Sequence, residues 1–332
     1  MALRNAVHPS NIALFRYIQE FIYGLQYAGS RRFFEKYPSR AAACWNGLNG
    51  SRLAFITGAQ DAGVTTLVFE LSPIPGKLTC DPKGVNYLNC LPRSIEPYLK
   101  WNESRPGGSD RWKSAFQHLK QRPASSSAAR PSSRNLPTLE KPYIFVALQV
   151  PNDSQLRIFG GSFHTVEQYV SAIIEAAQGL PSGWHIRIKE HPTAPARLLE
   201  VFPELNRSSR VFLDNQTDTY TQVEKSKAIF TINSSVGLQS FLYDKPVVVS
   251  GECFWGLETI TTPAKTKPAL FEVIQSVDTL SFDVIHRNAF MNFLVEDYFL
   301  DSAKINQEGS KKIDHYKFEV DSRTQKGWPF FN

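Results

Sequence analysis

Two short polar signatures stand where chemistry is easiest to place, directly after apolar runs of β character. Lys189-Glu190-His191-Pro192 follows Trp184-His185-Ile186-Arg187-Ile188, and Asn233-Ser234-Ser235-Val236-Gly237 follows Ala228-Ile229-Phe230-Thr231-Ile232. In an open α/β sheet, ligands settle outside the carboxyl ends of the strands. A hydroxyl-rich turn that opens a helix also offers backbone N–H groups and the positive end of the helix dipole, both suited to phosphate. Lys189 and His191 add cationic donors. The pair therefore predicts an anion cradle for a nucleotide or nucleotide-sugar, built from Lys189, His191, Pro192, Asn233, Ser234, Ser235 and Gly237. Either motif alone also reads as a helix cap after a strand.

These signatures need a parallel sheet to carry them, and the pattern around them supplies one. Strands are expected at Tyr143 to Val150, Trp184 to Lys189, Arg210 to Leu213, Ala228 to Ile232 and Pro246 to Val249, with helices between them. One helix is well marked: Val166, Tyr169, Val170, Ile173, Ile174 and Ala177 recur at helical spacing behind a capping box of Thr165 and Gln168. Nearer the N-terminus, Ile12, Leu14, Phe15, Ile18, Phe21, Ile22 and Leu25 predict a helix that faces the core, with a surface-lying membrane contact through its rim of Arg16, Arg31, Arg32 and Lys36 as the alternative. A strand pair is expected at Leu53 to Thr57 and Thr66 to Glu70. The glycines at 58 and 63 between them lack the Lys-Ser/Thr of a P-loop.

At 332 residues the chain is long enough for two cores. The expected organisation is an N-terminal α/β domain over 1–121, a Ser/Pro/Arg-rich linker over 122–142 too poor in large apolar groups to pack, a nucleotide-sugar domain over 143–280, and helices and tail over 281–332. Phe282 to Phe299 is read as helix, and the aromatic tail with Trp328, Phe330 and Phe331 is unplaced. A net charge of +6 without Lys/Arg blocks or RNA-binding aromatic motifs favours phosphate, an acidic sugar or an anionic lipid surface over nucleic acid. Cys44, Cys80, Cys90 and Cys253 show no zinc spacing and are expected as reduced thiols. No apolar run approaches the length of a membrane span, so a cytoplasmic protein is expected.

Four stretches, in order, resemble the bacterial capsule polysaccharide biosynthesis family: Trp45-Asn46-Gly47; Phe69-Glu70 through Pro73-Ile74-Pro75-Gly76 to Asp81-Pro82-Lys83-Gly84-Val85-Asn86; Leu148-Gln149-Val150-Pro151-Asn152-Asp153-Ser154-Gln155; and the pair above. The resemblance covers roughly residues 10 to 300. It implies a GT-B-like architecture, two Rossmann-like domains with parallel sheets facing a cleft and C-terminal helices packing back across the seam. It also implies a retaining β-Kdo transferase that uses CMP-Kdo. Retention needs a carboxylate nucleophile and an acid/base. The resemblance gives these roles to Asp153 and Glu70, with Asp153 as a turn cap and Glu70 as a Lys or Arg partner the alternatives.

Trp45, Asn46, Asp81, Lys83, Gly84, Asn86, Gln149 and Gln155 are the implied sugar and acceptor contacts, with a rigid turn built from Pro82 and Gly84 and a core position for Trp45 as the alternatives. The CMP phosphate leaves with protein donors alone, so neither metal nor cofactor is expected. Implied partners are a CMP-sugar, a lipid-linked or glycan acceptor, capsule assembly or export proteins, and peripherally the inner face of the cytoplasmic membrane. A CDP-alcohol phosphotransferase of the teichoic type and a non-catalytic export subunit are the competing readings.

Overall fold

The computed structural model describes residues 13–105, 107–116, 119, 130–151 and 153–302. The chain divides into two units, 1–97 with 293–332 and 98–292. The first opens with α1 (Ala13–Lys36), β1 (Ala42–Trp45), α2 (Gly50–Asp61), β2 (Thr66–Leu71) and β3 (Lys77–Asp81). β1 and β2 are parallel, with Trp45 opposite Phe69, whereas β3 runs antiparallel to β2, with Asp81 opposite Val68.

α2 stands where a strand over Leu53 to Thr57 was expected. That run suits either period. Burial of Ala54, Gly58 and Ala59 at helical spacing decides for the helix, because α1 crosses at Gly58. A Cβ on Gly58 would lie 2.6 Å from the Tyr27 carbonyl oxygen. Around the crossing the Ser30 hydroxyl donates to the Phe55 carbonyl (2.7 Å), the Tyr27 hydroxyl donates to Asp61 (2.6 Å), and Phe34 is buried against Phe55. Among the described side chains, only this side of α1 packs. Phe15, Ile18, Phe21, Ile22 and Leu25 are exposed, which corrects the expectation of a core-facing helix: α1 carries more apolar side chains than one helix–helix contact can cover.

The second unit begins within α3 (Glu96–Glu103). Its parallel sheet comprises β4 (Tyr143–Ala147), β5 (His185–Lys189), β6 (Val211–Leu213), β7 (Ala228–Thr231), β8 (Val247–Val249) and β9 (Thr262–Pro263). The connections carry α4 (Ser154–Phe159), α5 (Val166–Ala176), α6 (Leu198–Val201), α7 (Thr219–Lys225) and α8 (Ser235–Gln239), and α9 (Lys267–Gln275) and α10 (Val284–Phe293) follow. The order β6-β5-β4-β7-β8-β9 is that of a Rossmann sheet, with its switch point between β4 and β7. β4, β5 and β7 are buried along their whole length, as sheets covered on both faces require. Against them packs the α5 stripe of Val166, Tyr169, Val170 and Ile173. Thr165 caps α5 as read from sequence, accepting from the Gln168 N–H at 3.1 Å.

The division at 97/98 differs from the expected boundary at 121/122. Tyr98 packs edge-on against Phe290 (5.0 Å), and Trp112 hydrogen-bonds Asn288 and Asn292 (2.8 and 3.0 Å), which joins residues 98–116 to α10. The stretch expected as a linker is also structured from Arg130 onward. The Ser133 N–H donates to the Leu213 carbonyl (2.8 Å) and its hydroxyl accepts from the Leu213 N–H (2.9 Å), along the free side of β6. Polar hydrogen bonds, rather than the large apolar groups the segment lacks, hold it there. Residues 122–129 of that stretch, Ile12, and the tail from Gln307 lie outside the described residues.

After α10 the chain rejoins the first unit. The expected helix to Phe299 gives way to a π-helical turn at Leu294–Tyr298, and β10 (Leu300–Asp301) pairs antiparallel with β3. That sheet, ordered β1-β2-β3-β10, is therefore mixed, not parallel as expected.

Gly58→Ala is expected to lower unfolding stability by about 1–2 kcal/mol, because displacing a backbone oxygen outweighs the gain of up to about 1 kcal/mol in helix propensity. Urea denaturation measures it, and unchanged or raised stability would mean that α1 is not held at this crossing.

Candidate functional site

The carboxyl end of β5 is built around a buried carboxylate. Glu190 Oε1 accepts from the Arg197 and Leu198 N–H groups at 2.9 and 3.0 Å, capping α6 from outside the helix. Its Oε2 accepts from Asn215 Nδ2 (2.7 Å) and lies 3.5 Å from Arg130 Nη2, while the Glu190 N–H donates to Asn215 Oδ1 (3.0 Å). Arg130 also donates to the Pro192 and Ala194 carbonyls. The loop between β5 and α6 is thus tied at both ends, to the turn after β6 and to the segment preceding β4. Asn215 was missed from sequence; its only signal was the turn-forming run Asp214-Asn215-Gln216-Thr217-Asp218 behind a strand.

Lys189 does not present its ammonium to a ligand. Its Nζ donates to the Asn215 and Thr217 carbonyls at 3.0 and 2.5 Å, and burial pulls its pKa down to about 8. Arg187 pairs with Asp214 at 2.6 Å, both buried. Burial raises the Asp214 pKa, but the Thr217 N–H and the Arg187 guanidinium outweigh it, so the net shift is downward. His191 does face the site. Its Nδ1 accepts from the Thr193 N–H (3.2 Å), so the neutral ring carries its proton on Nε2.

At the switch point, Asn233 and Gln149 bond one another. Gln149 Nε2 donates to Asn233 Oδ1 at 2.5 Å, and Asn233 Nδ2 reaches the carbonyls of Gln155, Phe159 and Glu252 at 3.1–3.2 Å. Asn233 is buried and joins the turn after β7 to α4 and to the loop after β8. Ser234 caps α8 weakly, at 3.4 Å from the Val236 N–H, and Ser235 begins that five-residue helix. Gly237 is a packing position, since a Cβ there would meet Trp255 at 2.3 Å. The second signature thus builds the sheet's end more than it offers donors. Asp153 is the N-cap of α4, its Oδ1 accepting from the Gln155 N–H at 2.9 Å, which is the capping geometry of the alternative reading.

Beside these elements lies a cavity of about 300 Å³. Gln149, His164, Glu167, Glu190, His191 and Arg197 supply its polar lining, with Leu148, Leu156, Val166 and Leu198 among its apolar walls. Two imidazoles and a guanidinium stand there with the carboxylates of Glu167 and Glu190 beside an apolar wall, so the cavity offers donors to an anionic group attached to a ring only on its His164, His191 and Arg197 side. Neither signature contains His164, Glu167 or Arg197; His164 precedes the α5 capping box, Glu167 lies within it, and Arg197 immediately precedes α6.

In the first unit, Glu70 and Asn46 come together at the carboxyl ends of the parallel pair. Asn46 Nδ2 donates to Glu70 Oε2 at 2.5 Å, Glu70 Oε1 accepts from the Leu71 N–H, and Asn46 holds a left-handed φ of 68° beside the half-exposed Trp45. Residues 81–86 lie at the opposite end of β2, where the Thr66 hydroxyl donates to the Pro82 carbonyl. Asp81 is fully buried, accepting from the N–H groups of Lys83, Gly84 and Cys90, the Cys90 thiol and the Tyr298 hydroxyl, all within 3.0 Å. It shapes a turn, with Gly84 close against Leu88 and Asn86 at a φ of 59°, instead of facing a ligand. Lys83 is exposed on that turn.

Residues 108–271, which include the sheet and cavity of the second unit, match the family of capsule polysaccharide biosynthesis proteins. This segment belongs to that family. The chain is 24% identical over 228 residues to Protein FixF of Sinorhizobium fredii (strain NBRC 101917 / NGR234), covering 68% of this chain and 52% of FixF. It is also 24% identical over 187 residues to the capsule polysaccharide export protein KpsS of Escherichia coli, covering 54% of this chain and 46% of KpsS. It spans about half the length of these curated relatives. Among solved structures, the β-Kdo 2,7-transferase of Thermosulfurimonas dismutans KpsC aligns over 87% of this chain and 89% of its own, with a TM-score of 0.51 at 15% identity. The fold is accordingly GT-B-like, with two Rossmann-like units.

Two expectations follow for the capsule-family segment. Glu190→Ala leaves buried donors without an acceptor and should reduce unfolding stability by about 3 kcal/mol; a loss below about 1 kcal/mol in urea titration would show that the loop does not depend on it. His185, buried between Tyr143 and Phe212, has its pKa pushed from 6.5 to about 4 by burial and by Arg187. Its folded pKa lies below its unfolded one, so its contribution is complete above pH 6.5 and is lost as pH falls toward 4, by about 3 kcal/mol in all. His185→Phe should flatten the stability profile across that window, and an unchanged slope would contradict the assignment.

Proposed function

We propose that the chain is a glycosyltransferase of capsule polysaccharide biosynthesis, passing Kdo or a related acidic sugar from its CMP conjugate to a lipid-linked or glycan acceptor with retention. The cavity carries this reading: within the family-matched segment, at a parallel sheet's carboxyl end, it sets His164, His191 and Arg197 around an apolar wall. These groups and backbone N–H donors would receive the CMP phosphate without a divalent metal.

In this reading the Asp153 carboxylate attacks the anomeric carbon while the bond to the phosphate oxygen breaks and its electron pair leaves with CMP. The acceptor hydroxyl then displaces Asp153, giving its proton to a general base. Capsule assembly proteins and reversible contact with the inner face of the cytoplasmic membrane belong to the same reading. The name of the KpsS relative supports a second one, a non-catalytic export subunit.

Asp153→Asn separates the chemistry from the helix cap. Asparagine caps about as well as aspartate, so stability should hold within a few tenths of a kcal/mol while release of Kdo from CMP-Kdo falls at least about a hundredfold. Wild-type protein should turn over CMP-Kdo in the presence of EDTA and show a sugar adduct by intact mass. Equal turnover in the variant removes Asp153 as nucleophile, inhibition by EDTA removes the metal-free mechanism, and no turnover by wild type favours the export reading.

A further inference from the structure

We propose that the outer face of α1 is a docking surface for a bilayer bearing anionic headgroups. The inference deepens the membrane contact of the proposed function and rests on it. Opposite the side held on α2, Ile18, Ile22, Leu25, Gly29, Arg32 and Lys36 follow at three- and four-residue spacing and so lie along one stripe. Phe15 and Phe21 flank it. These apolar side chains are 44–68% exposed, the two phenylalanines at 55% and 68%. Scattered apolar residues are normal on a surface, but a contiguous stripe marks a contact.

Charge selects the occupant. The stripe ends in two cations, and α1 offers it no opposing carboxylate: Glu20 is half-buried on the other side, and Glu35 pairs with Arg31 at 2.8 Å. An amphipathic helix with Phe and Ile on one side and basic residues at its edge lies in the plane of the interface, its apolar face in the acyl boundary and its cations at anionic headgroups. α1 is not apolar enough to cross the bilayer. Its packed side, through Tyr27, Ser30 and Phe34, fixes it to the first unit, so the exposed face is presented without rearrangement.

The test is co-sedimentation of the full chain with vesicles of phosphatidylglycerol and phosphatidylcholine, beside vesicles of phosphatidylcholine alone. Wild type should sediment with the anionic vesicles and be released as salt rises toward about 0.5 M, where the Debye length shrinks to a few ångströms. Phe21→Glu with Ile22→Glu should weaken partitioning at least about tenfold. Arg32→Glu with Lys36→Glu should weaken it and abolish its salt dependence. All four positions are exposed, so the folded state should survive, as circular dichroism and thermal unfolding will show.

Wild type that binds no vesicle overturns the inference together with the membrane contact. Vesicle binding unchanged in both double variants overturns the assignment to α1 alone. A wild-type dimer that Phe21→Glu converts to monomer, without vesicle binding, assigns the face to a second copy and overturns the lipid surface. CMP-Kdo turnover, measured without vesicles, reports separately on the transferase reading.

Discussion

A carboxylate cannot be enclosed at the end of a parallel sheet unless donors converge on it, and at Glu190 they do. Two backbone N–H groups of the α6 turn, the Asn215 amide and the Arg130 guanidinium meet on one side chain. The two N–H groups, the amide and the guanidinium ion-paired at 3.5 Å come from three separate stretches of chain, so a single carboxylate fixes the loop after β5, the turn after β6 and the segment before β4 together. The wall of the cavity is a consequence. His191 and Arg197 stand at the two ends of the loop that Glu190 gathers, and the cavity between them is as rigid as that hydrogen-bonded knot.

Asn233 does similar work two strands away. A side-chain amide donates at most two hydrogens and accepts on one oxygen, and Asn233 directs these to the backbone of α4, the loop after β8 and Gln149. Polar residues at strand ends can serve a ligand or the strands themselves. In this sheet Asn233, Lys189 and Asp214 serve the strands, Gln149 both bonds Asn233 and lines the cavity, and the rest of the surface open to a ligand is furnished by their neighbours.

That division explains which features were legible in the sequence. The parallel strands and α5 could be read because burial on both faces leaves apolar runs and a helical stripe that few other structures tolerate. Leu53 to Thr57 misled because five residues of mixed β-branched and aromatic character fit a strand, while the reason for the helix, close approach of α1 at Gly58, is a tertiary fact. The signatures after β5 and β7 were placed correctly on the sheet, yet spacing says nothing about which way a polar side chain turns. Lys189 turns toward the Asn215 and Thr217 carbonyls, and His191, two residues on, toward the cavity. His164, Glu167 and Arg197 left no mark because residues that only line a space follow no period.

The serines before β4 have a consequence for the state of the molecule in solution. β6 is the last strand on its side of the sheet, and its outward N–H and carbonyl groups would otherwise form a template on which another chain could pair. Ser133 occupies both partners of Leu213, and Ser132 and Pro131 engage Asn215 just beyond. A polar segment without a hydrophobic side of its own thus serves as a false strand. It closes the edge without extending the sheet, and protection of that edge against pairing with another chain becomes a property of a stretch whose composition alone suggests a passive spacer.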